Sequence, residues 1–198
     1  MTALLRDLTR PIPAPPRRDV VAVPYEPKWR DRFARVLNQS YVGSFDFPEL
    51  GHVRGGHNAL DAHATMGTDT SGWWLYHDRP SGADVAVLLA ADQPEIGDAT
   101  DGAAGGDGDR SGTTELVYLG VTPQARGRGW GRWMVHTALF QARARGRRWA
   151  STSVIDVNVY AEKIYKSLGF TRQGESRVYL RLVHDSGTGL LNRKSTKP

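Results

Sequence analysis

The chain has 198 residues and contains no cysteine. This length fits one globular domain, with or without tails. Hydrophobic residues make up 39% and charged residues 24%, a composition typical of a folded domain rather than a disordered chain. The absence of cysteine excludes disulfides, thiolate metal sites and a cysteine nucleophile. The formal net charge of +5 indicates an anionic partner without saying which kind.

The start of the chain lacks the features of a secretory signal. Arg6, Asp7 and Arg10 lie where a signal peptide would need an apolar stretch. No window of the sequence is long and apolar enough to suggest a membrane span. We therefore expect a cytoplasmic protein with no membrane partner.

Three biased segments suggest the domain boundaries. Four prolines lie between residues 11 and 16, and this density disfavours helices and inner strands, so residues 1–18 are predicted to form a flexible arm. Residues 93–112 are rich in Asp and Gly and predict a mobile acidic loop. Residues 184–198 are polar and basic and predict a flexible tail. The ordered domain is then expected over residues 19–183.

Hydrophobic periodicity predicts alternating strands and helices within that domain. In chain order, it predicts a strand at 20–25, a helix at 28–41, a weaker helix at 58–66, a strand hairpin formed by 73–77 and 84–91, a strand at 115–121, a helix at 128–145, a strand at 150–157, a helix at 158–168 and a last strand at 178–183. The pattern is that of a mixed α/β domain.

The most informative stretch runs from residue 115 to residue 133, where a predicted strand is followed by a loop and then a helix. Gly127, Gly129 and Gly131 lie at every second position of that loop. Glycines there allow a ligand to approach the backbone, and the free N–H groups at the helix start favour an anion. The spacing matches neither a Walker A loop nor a dinucleotide-binding fingerprint. The pattern fits a phosphate-binding loop, and it equally fits a tight strand-to-helix turn.

Basic residues are concentrated around this loop and the helix that follows it. Between Pro123 and Trp149 there are seven arginines and no acidic residue. Such a field suits a multiply charged anion.

Two sequence motifs in this region point to one family. Residues 126–131, Arg-Gly-Arg-Gly-Trp-Gly, resemble the acetyl-CoA pyrophosphate motif of the GNAT N-acyltransferase superfamily, Arg/Gln-x-x-Gly-x-Gly/Ala. Residues 158–165, together with the Leu-Gly-Phe at 168–170, are similar to that family's Asn-x-x-Ala-x-x-x-Tyr helix and its ending. The resemblance is good over about residues 115–182, and before residue 115 only the order of elements agrees.

The resemblance implies a fold and a set of ligand contacts. The expected fold is one GNAT-like domain with a twisted, mostly antiparallel sheet of six to seven strands, splayed at the acetyl-CoA site and flanked by about four helices. Within its strand, Gly120 independently suggests a bulge or a close ligand approach. The residues implied to contact acetyl-CoA are Leu119, Gly120, Val121, Arg126, Gly127, Arg128, Gly129, Trp130, Gly131, Asn158 and Tyr165.

The resemblance also implies catalytic roles for two residues. An acceptor amine must lose a proton before it attacks a thioester, and Glu115 lies at the family's general-base position, acting directly or through water. Tyr165 corresponds to the general acid that protonates the departing thiolate. Each of the two has a structural alternative: a strand-end salt bridge for Glu115 and a packed ring for Tyr165. Asn158, at the start of its helix, is both a natural N-cap and the family's CoA-contacting position.

The acceptor site is the least defined part of the sequence. The segment 40–50, after the first helix, is where the superfamily builds that site. Candidate substrate-binding residues are Tyr41, Asp46, Glu49 and Trp73, with Phe45 as a further aromatic residue. An ordinary loop with an aromatic anchor explains the same residues.

The sequence thus predicts an enzyme that transfers acetyl from acetyl-CoA directly to a primary amine through a tetrahedral intermediate. The histidines show no metal-binding spacing and no serine lies in a nucleophile elbow, so neither a metal nor serine hydrolysis is expected. A non-catalytic acyl-CoA-binding module is the alternative. Nucleic acid is not an expected partner because no stacking aromatics accompany the arginines. The acceptor, the acyl length and the oligomeric state, including a homodimer, stay open.

Overall fold

The computed structural model describes residues 1–46, 55–65, 69–93 and 112–175. These residues contain seven strands, β1 (Thr2–Asp7), β2 (Val20–Pro24), β3 (Gly72–Asp78), β4 (Ala83–Asp92), β5 (Thr113–Val121), β6 (Trp149–Val154) and β7 (Thr171–Glu175). The same described ranges contain four α-helices, α1 (Arg30–Tyr41), α2 (Gly56–Thr65), α3 (Trp130–Ala144) and α4 (Val159–Ser167). The strands predicted between residues 20 and 157 and all four predicted helices are confirmed, with ends shifted by a few residues.

All seven strands belong to one sheet in the order β2-β3-β4-β5-β6-β1-β7. Every neighbouring pair is antiparallel except β5 and β6, which are parallel. The β5–β6 pairing covers only Thr113 to Glu115 on β5 and Trp149 to Ser151 on β6. Both strands continue beyond this point without pairing to each other, so the sheet is splayed as predicted.

Hydrophobic residues on the two faces of the sheet form two separate cores. Helices α1 and α2 cover one face, where Phe33 and Leu37 pack against Trp73 and Leu89. Helices α3 and α4 cover the other face, whose core includes Met134. This two-faced packing is what the alternating apolar positions of a half-buried strand require.

The N-terminal residues correct the prediction of a flexible arm. Thr2–Asp7 form β1, which lies between β6 and β7 and pairs with both. Thr2 and Leu4 are buried, and this alternation anchors the strand. The pattern was missed because it spans only a few residues before the charged pair Arg6 and Asp7 and the prolines.

Residues 8–18, called the N-terminal segment below, form neither helix nor strand but lie along α3. Leu8 and Ile12 are buried in the core beneath that helix. Side chains of α3 donate hydrogen bonds to its carbonyl groups: Trp133 Nε1 to Pro16 O at 2.8 Å and Arg143 Nη1 to Arg10 O at 3.4 Å. This part of the predicted arm is therefore packed against the domain.

The last strand that the structure describes also differs from the prediction. Strand β7 was not predicted, because its sequence Thr-Arg-Gln-Gly-Glu has no apolar alternation. The predicted strand at 178–183, the tail at 184–198 and all but the ends of the acidic loop at 93–112 lie outside the described residues.

A β-bulge in β5 changes which side chains face α1. Leu89 pairs with Tyr118 and Ala90 pairs with Leu116, so Val117 is an extra residue on β5. Val117 and Tyr118 consequently both pack on the α1 side. The sequence suggested a bulge or ligand approach at Gly120, but the bulge lies three residues earlier.

Gly120 instead allows α1 to approach the sheet. A Cβ at this position would lie 2.7 Å from Ser40 Cβ and 2.8 Å from Tyr118 Cε1, closer than atoms pack. Ser40 is fixed there because its hydroxyl donates to Leu37 O at 2.8 Å. The neighbouring atoms therefore leave no room for a larger side chain at position 120.

We predict that Gly120→Ala destabilises the protein by about 1–3 kcal/mol, because α1 must shift to relieve the overlap. Urea unfolding monitored by tryptophan fluorescence measures the change. Gly174→Ala is the matched control, since a Cβ there meets nothing within 4 Å, and it should change the unfolding free energy by less than about 0.5 kcal/mol. Equal stability of the two variants would contradict the packing argument.

Within the described ranges, no helix combines the length and the apolar character that crossing a bilayer requires.

Candidate functional site

The separation of β5 from β6 opens a cavity of about 560 Å³, called the Tyr165 cavity below. Thr152 Oγ1 donates to Leu116 O at 3.0 Å across the opening, and beyond this contact the strands diverge. Residues from β5, β6, α2, α4 and the end of α1 line the cavity, among them Tyr41, Asp46, Asn58, His63, Glu115, Tyr118, Thr152, Asn158 and Tyr165.

The glycine loop between β5 and α3 has the geometry of an anion site. Gly127 and Gly129 have φ values of 74° and 76°, a left-handed conformation that glycine adopts without strain. Gly129 is the residue before the first turn of α3, and no side chain caps that turn. The first N–H groups of the helix are therefore available to a ligand, with the positive end of the helix dipole behind them.

A second cavity, of about 590 Å³, lies against this loop and is called the glycine-loop cavity. Gly127, Gly129 and Gly131 line it, as do Leu119, Gly120 and Val121 of β5. The two cavities adjoin, because both are lined by Ser44, Tyr118, Leu119, Asn158 and Ala161. An elongated ligand can thus reach from the glycine loop to Tyr165 along the unpaired edge of β5.

The predicted anion contact Arg126 is engaged by the protein itself. Its Nη2 donates to Ser40 O at 2.9 Å, and its Nη1 and Nε donate to Gly43 O and Val121 O at 3.2 Å. The guanidinium therefore ties the end of α1 to the end of β5. Arg126 also lines the glycine-loop cavity. Its contact with the acetyl-CoA phosphates stays a prediction.

The seven arginines between residues 123 and 149 do not form one region of positive charge in the structure. Helix α3 has 15 residues, so its two ends are about 22 Å apart. At the far end, Arg145 and Arg147 pair with Asp92, with Nε to Oδ2 distances of 3.2 and 3.1 Å. Only the arginines near the start of α3 lie beside the glycine loop, which corrects the expectation of a single phosphate field.

Tyr165 lies at the bottom of the gap between the strands. Its side chain is buried and packs edge-on against Phe170, with ring centroids 5.2 Å apart. Burial raises the pKa of its phenol, and the nearby Asp46 carboxylate acts in the same direction while Thr152 opposes it. A protonated phenol that lines a cavity can donate a proton. The packed-ring alternative is also observed, so the ring serves both as core and as cavity wall.

Glu115 lies where β5 and β6 stop pairing and also lines the Tyr165 cavity. Its Oε2 accepts a hydrogen bond from Gln93 Nε2 at 2.7 Å. Among the described residues no cation forms an ion pair with Glu115, so the strand-end salt bridge that the sequence allowed is not found there. The amide of Gln93 donates to one carboxylate oxygen and adds no charge to the site.

Asn158 is the N-cap of α4. Its Oδ1 accepts a hydrogen bond from Ala161 N at 3.2 Å, the arrangement expected for that position. It also lines both cavities, so capping places the side chain beside the predicted ligand path.

The predicted acceptor residues are not all in one place. Tyr41 and Asp46 line the Tyr165 cavity, whereas Phe45 lines the glycine-loop cavity. Trp73 is fully buried between Tyr25 and the core under α1 and lines neither cavity, so its predicted place in the acceptor wall is wrong. Its position on an inner strand explains the burial. Glu49 lies outside the described residues.

Sequence reasoning missed several cavity residues, among them Tyr118, Asn58 and His63. Tyr118 reaches the cavity because the bulge at Val117 reverses the alternation of β5. Its hydroxyl lies 2.8 Å from Ser40 Oγ, and it donates there because the Ser40 proton is used on Leu37 O. Asn58 and His63 lie on the weakly amphipathic α2, whose sequence gave no signal for a site.

In the part of the chain that the structure describes, no group of three or more histidine and acidic residues is arranged to hold a metal ion.

A family model described as an acetyltransferase (GNAT) domain matches residues 83–172. The match begins at β4 and ends in β7. It therefore includes β5, the glycine loop, β6 and Tyr165, the elements that form both cavities.

The chain is also similar to individual proteins. It is 37% identical over 103 residues to the mycothiol acetyltransferase of Beutenbergia cavernae, a match that covers 52% of this chain and 29% of that protein. The fold resembles that of a GCN5-related N-acetyltransferase from Sphaerobacter thermophilus, with a TM-score of 0.62 and 18% identity over 87% of this chain and 48% of that one. Ard1 from Thermoplasma volcanium has a TM-score of 0.55, 15% identity and coverage of 79% and 85%. The chain spans less than a third of the length of the Beutenbergia cavernae protein.

Proposed function

The chain belongs to the GNAT acetyltransferase family, and from this we propose that it transfers acetyl from acetyl-CoA directly to a primary amine. The acceptor is a small molecule or a protein amine. The curated relative's name, mycothiol acetyltransferase, supports acetyl as the transferred group. The family uses acetyl-CoA, and the two adjoining cavities fit such an elongated donor.

One observation carries this proposal: β5 and β6 part immediately after Glu115 and Ser151, between the glycine loop and Tyr165. Backbone groups of residues 116–121 that would otherwise pair with β6 face the opening. A pantetheine arm has amide groups that can take the place of the missing strand. Its pyrophosphate would then lie at the free N–H groups of the glycine loop and α3.

The thioester carbonyl would lie beside β5, within the gap. When the amine attacks, negative charge develops on the carbonyl oxygen, and a backbone N–H near residues 119–121 is available to stabilise it. No covalent enzyme intermediate is required, which agrees with a chain that contains no cysteine.

Glu115 is the proposed general base, acting directly or through a water molecule in the Tyr165 cavity. The ammonium group of an acceptor must lose a proton before its nitrogen can attack carbon. The described lining of this cavity includes the carboxylates of Glu115 and Asp46 and also Met1, whose terminal ammonium group pairs with Asp156 at 3.8 Å. The two carboxylates are the groups of this lining that can receive a proton from the acceptor.

Tyr165 is the proposed general acid. As the tetrahedral intermediate collapses, the sulfur leaves as a thiolate and takes the phenolic proton, and the second proton that the nitrogen loses on forming the amide restores the phenol. Burial keeps the phenol protonated until then, since the same desolvation that raises its pKa disfavours the phenolate.

Acetyl-CoA should stabilise the folded protein. At about 100 times its dissociation constant, a ligand that binds only the folded state adds roughly 2.7 kcal/mol. The rise in unfolding temperature measures this, with inorganic pyrophosphate at equal concentration as the control for non-specific anion binding. No shift with any acyl-CoA would overturn the proposal. Stabilisation without CoA release across a broad panel of amines would favour the non-catalytic acyl-CoA-binding alternative.

We predict that Tyr165→Phe lowers kcat by about 10²–10⁴-fold, the usual contribution of a general acid. The phenyl ring keeps the packing on Phe170, so the acetyl-CoA dissociation constant should change little. Tyr25→Phe is the control, because Tyr25 follows β2 and lines neither cavity. Wild-type turnover by Tyr165→Phe would remove Tyr165 as the acid.

Glu115→Gln should lower kcat/KM by about 10²–10⁴-fold at neutral pH, because an amide cannot accept the amine proton. The loss should shrink as pH rises, since more of the acceptor is then already deprotonated. A pH–rate profile tests both expectations, and Glu26→Gln, far from the cavity and paired with Lys28, is the control. A profile that overlays that of the wild type would exclude Glu115 as the base.

A further inference from the structure

We propose that Arg18 of the N-terminal segment is a positioning residue for the donor phosphates, because it fixes the peptide group between Arg128 and Gly129. This inference rests on the proposed function, in which the glycine loop binds the pyrophosphate of acetyl-CoA. It adds a residue that lies far from the loop in sequence and outside both of the motifs that indicated the family.

Arg18 has two contacts at the glycine loop. Its Nη2 donates a hydrogen bond to Arg128 O at 2.7 Å. Its guanidinium carbon lies 4.4 Å from the ring centroid of Trp130 and 5.9 Å from that of Trp133. The cation thus stacks on the first residue of α3 while holding the carbonyl group of the loop.

The hydrogen bond determines where the next N–H group points. In a planar trans peptide the C=O and the following N–H point in opposite directions. Arg128 O faces Arg18, so the N–H of Gly129 faces away from Arg18. Gly129 lines the glycine-loop cavity, whereas Arg18 and Arg128 do not. The N–H group that Arg18 orients is therefore directed toward the proposed phosphate position.

This orientation needs support because the loop is built of glycines. Gly127 and Gly129 both have positive φ, and glycine peptides rotate more readily than others. No side chain caps the first turn of α3. The contact from Arg18 thus supplies a restraint that the loop sequence itself lacks.

The N-terminal segment holds Arg18 in place before any ligand binds. Trp133 Nε1 donates to Pro16 O, and His136 Nε2 lies 2.8 Å from Pro13 O. The backbone of Pro15 and Pro16 is restricted in φ. A side chain held in this way loses less conformational entropy when it acts on a ligand site.

The positive charge of Arg18 also acts on the donor site through space, from behind the glycine loop. Among the described residues no carboxylate forms an ion pair with it, in contrast to Arg145 and Arg147, which share Asp92. One more positive charge beside the start of α3 strengthens the field that phosphate experiences. The N-terminal segment therefore contributes both orientation and charge to the donor site.

We expect Arg18→Ala to raise the KM and the dissociation constant for acetyl-CoA about tenfold and to keep kcat within about twofold of wild type. The loss of affinity is a fraction of the full effect of a charged hydrogen bond. S-acetyl-pantetheine, which has the thioester but no pyrophosphate, should show the same KM with both proteins. Arg18→Lys retains a charged donor and should recover part of the affinity. Arg17→Ala, which removes the exposed neighbouring arginine, is the control and should resemble the wild type.

The outcomes separate the two proposals. Binding of acetyl-CoA by Arg18→Ala as tightly as by the wild type would overturn the role of Arg18 and leave the proposed function standing. Equal losses with acetyl-CoA and S-acetyl-pantetheine would also overturn it, since they would indicate a general structural effect. Wild-type protein that binds no acyl-CoA would overturn both. Titration calorimetry gives these dissociation constants without depending on turnover.

Discussion

The structure depends on one feature, the short parallel pairing of β5 with β6, which ends at Glu115 and Ser151. Parallel neighbours place their carboxyl ends at the same edge of the sheet, and β5 leads into α3 while β6 leads into α4. The starts of both helices therefore converge on the gap, with no side-chain cap on α3 and with Asn158 as the cap of α4. Had the pairing continued to Val121, neither cavity would exist.

The packing around the gap keeps it open. Arg126 ties the end of β5 to the end of α1 through three backbone carbonyls, and Gly120 lets α1 lie directly on the strand. On the other face, α3 is held by the N-terminal segment as well as by the core. The residues proposed to act on the ligand are thus mounted on elements that are fixed from both sides, which is what a preorganised site requires.

The sequence was sufficient to predict the elements from β2 to α4 and the position of the glycine loop between β5 and α3, because each has a strong local signal. It was insufficient where the signal is tertiary. The bulge at Val117 shows only in the pairing of β5 with β4, and it moves Tyr118 into the site. Thr2–Asp7 are too short a strand to detect beside charges and prolines. The arginines appear as one run in the sequence, but a helix separates them in space.

The central claim is that the gap and the glycine loop form one acyl-CoA site, and a crystal structure of the protein with bound CoA tests it most directly. The account predicts the pyrophosphate at the N–H groups of residues 127–131 and the pantetheine arm along residues 116–121, with the sulfur directed toward Tyr165. CoA bound elsewhere, or pantetheine lying outside the gap between β5 and β6, would contradict it.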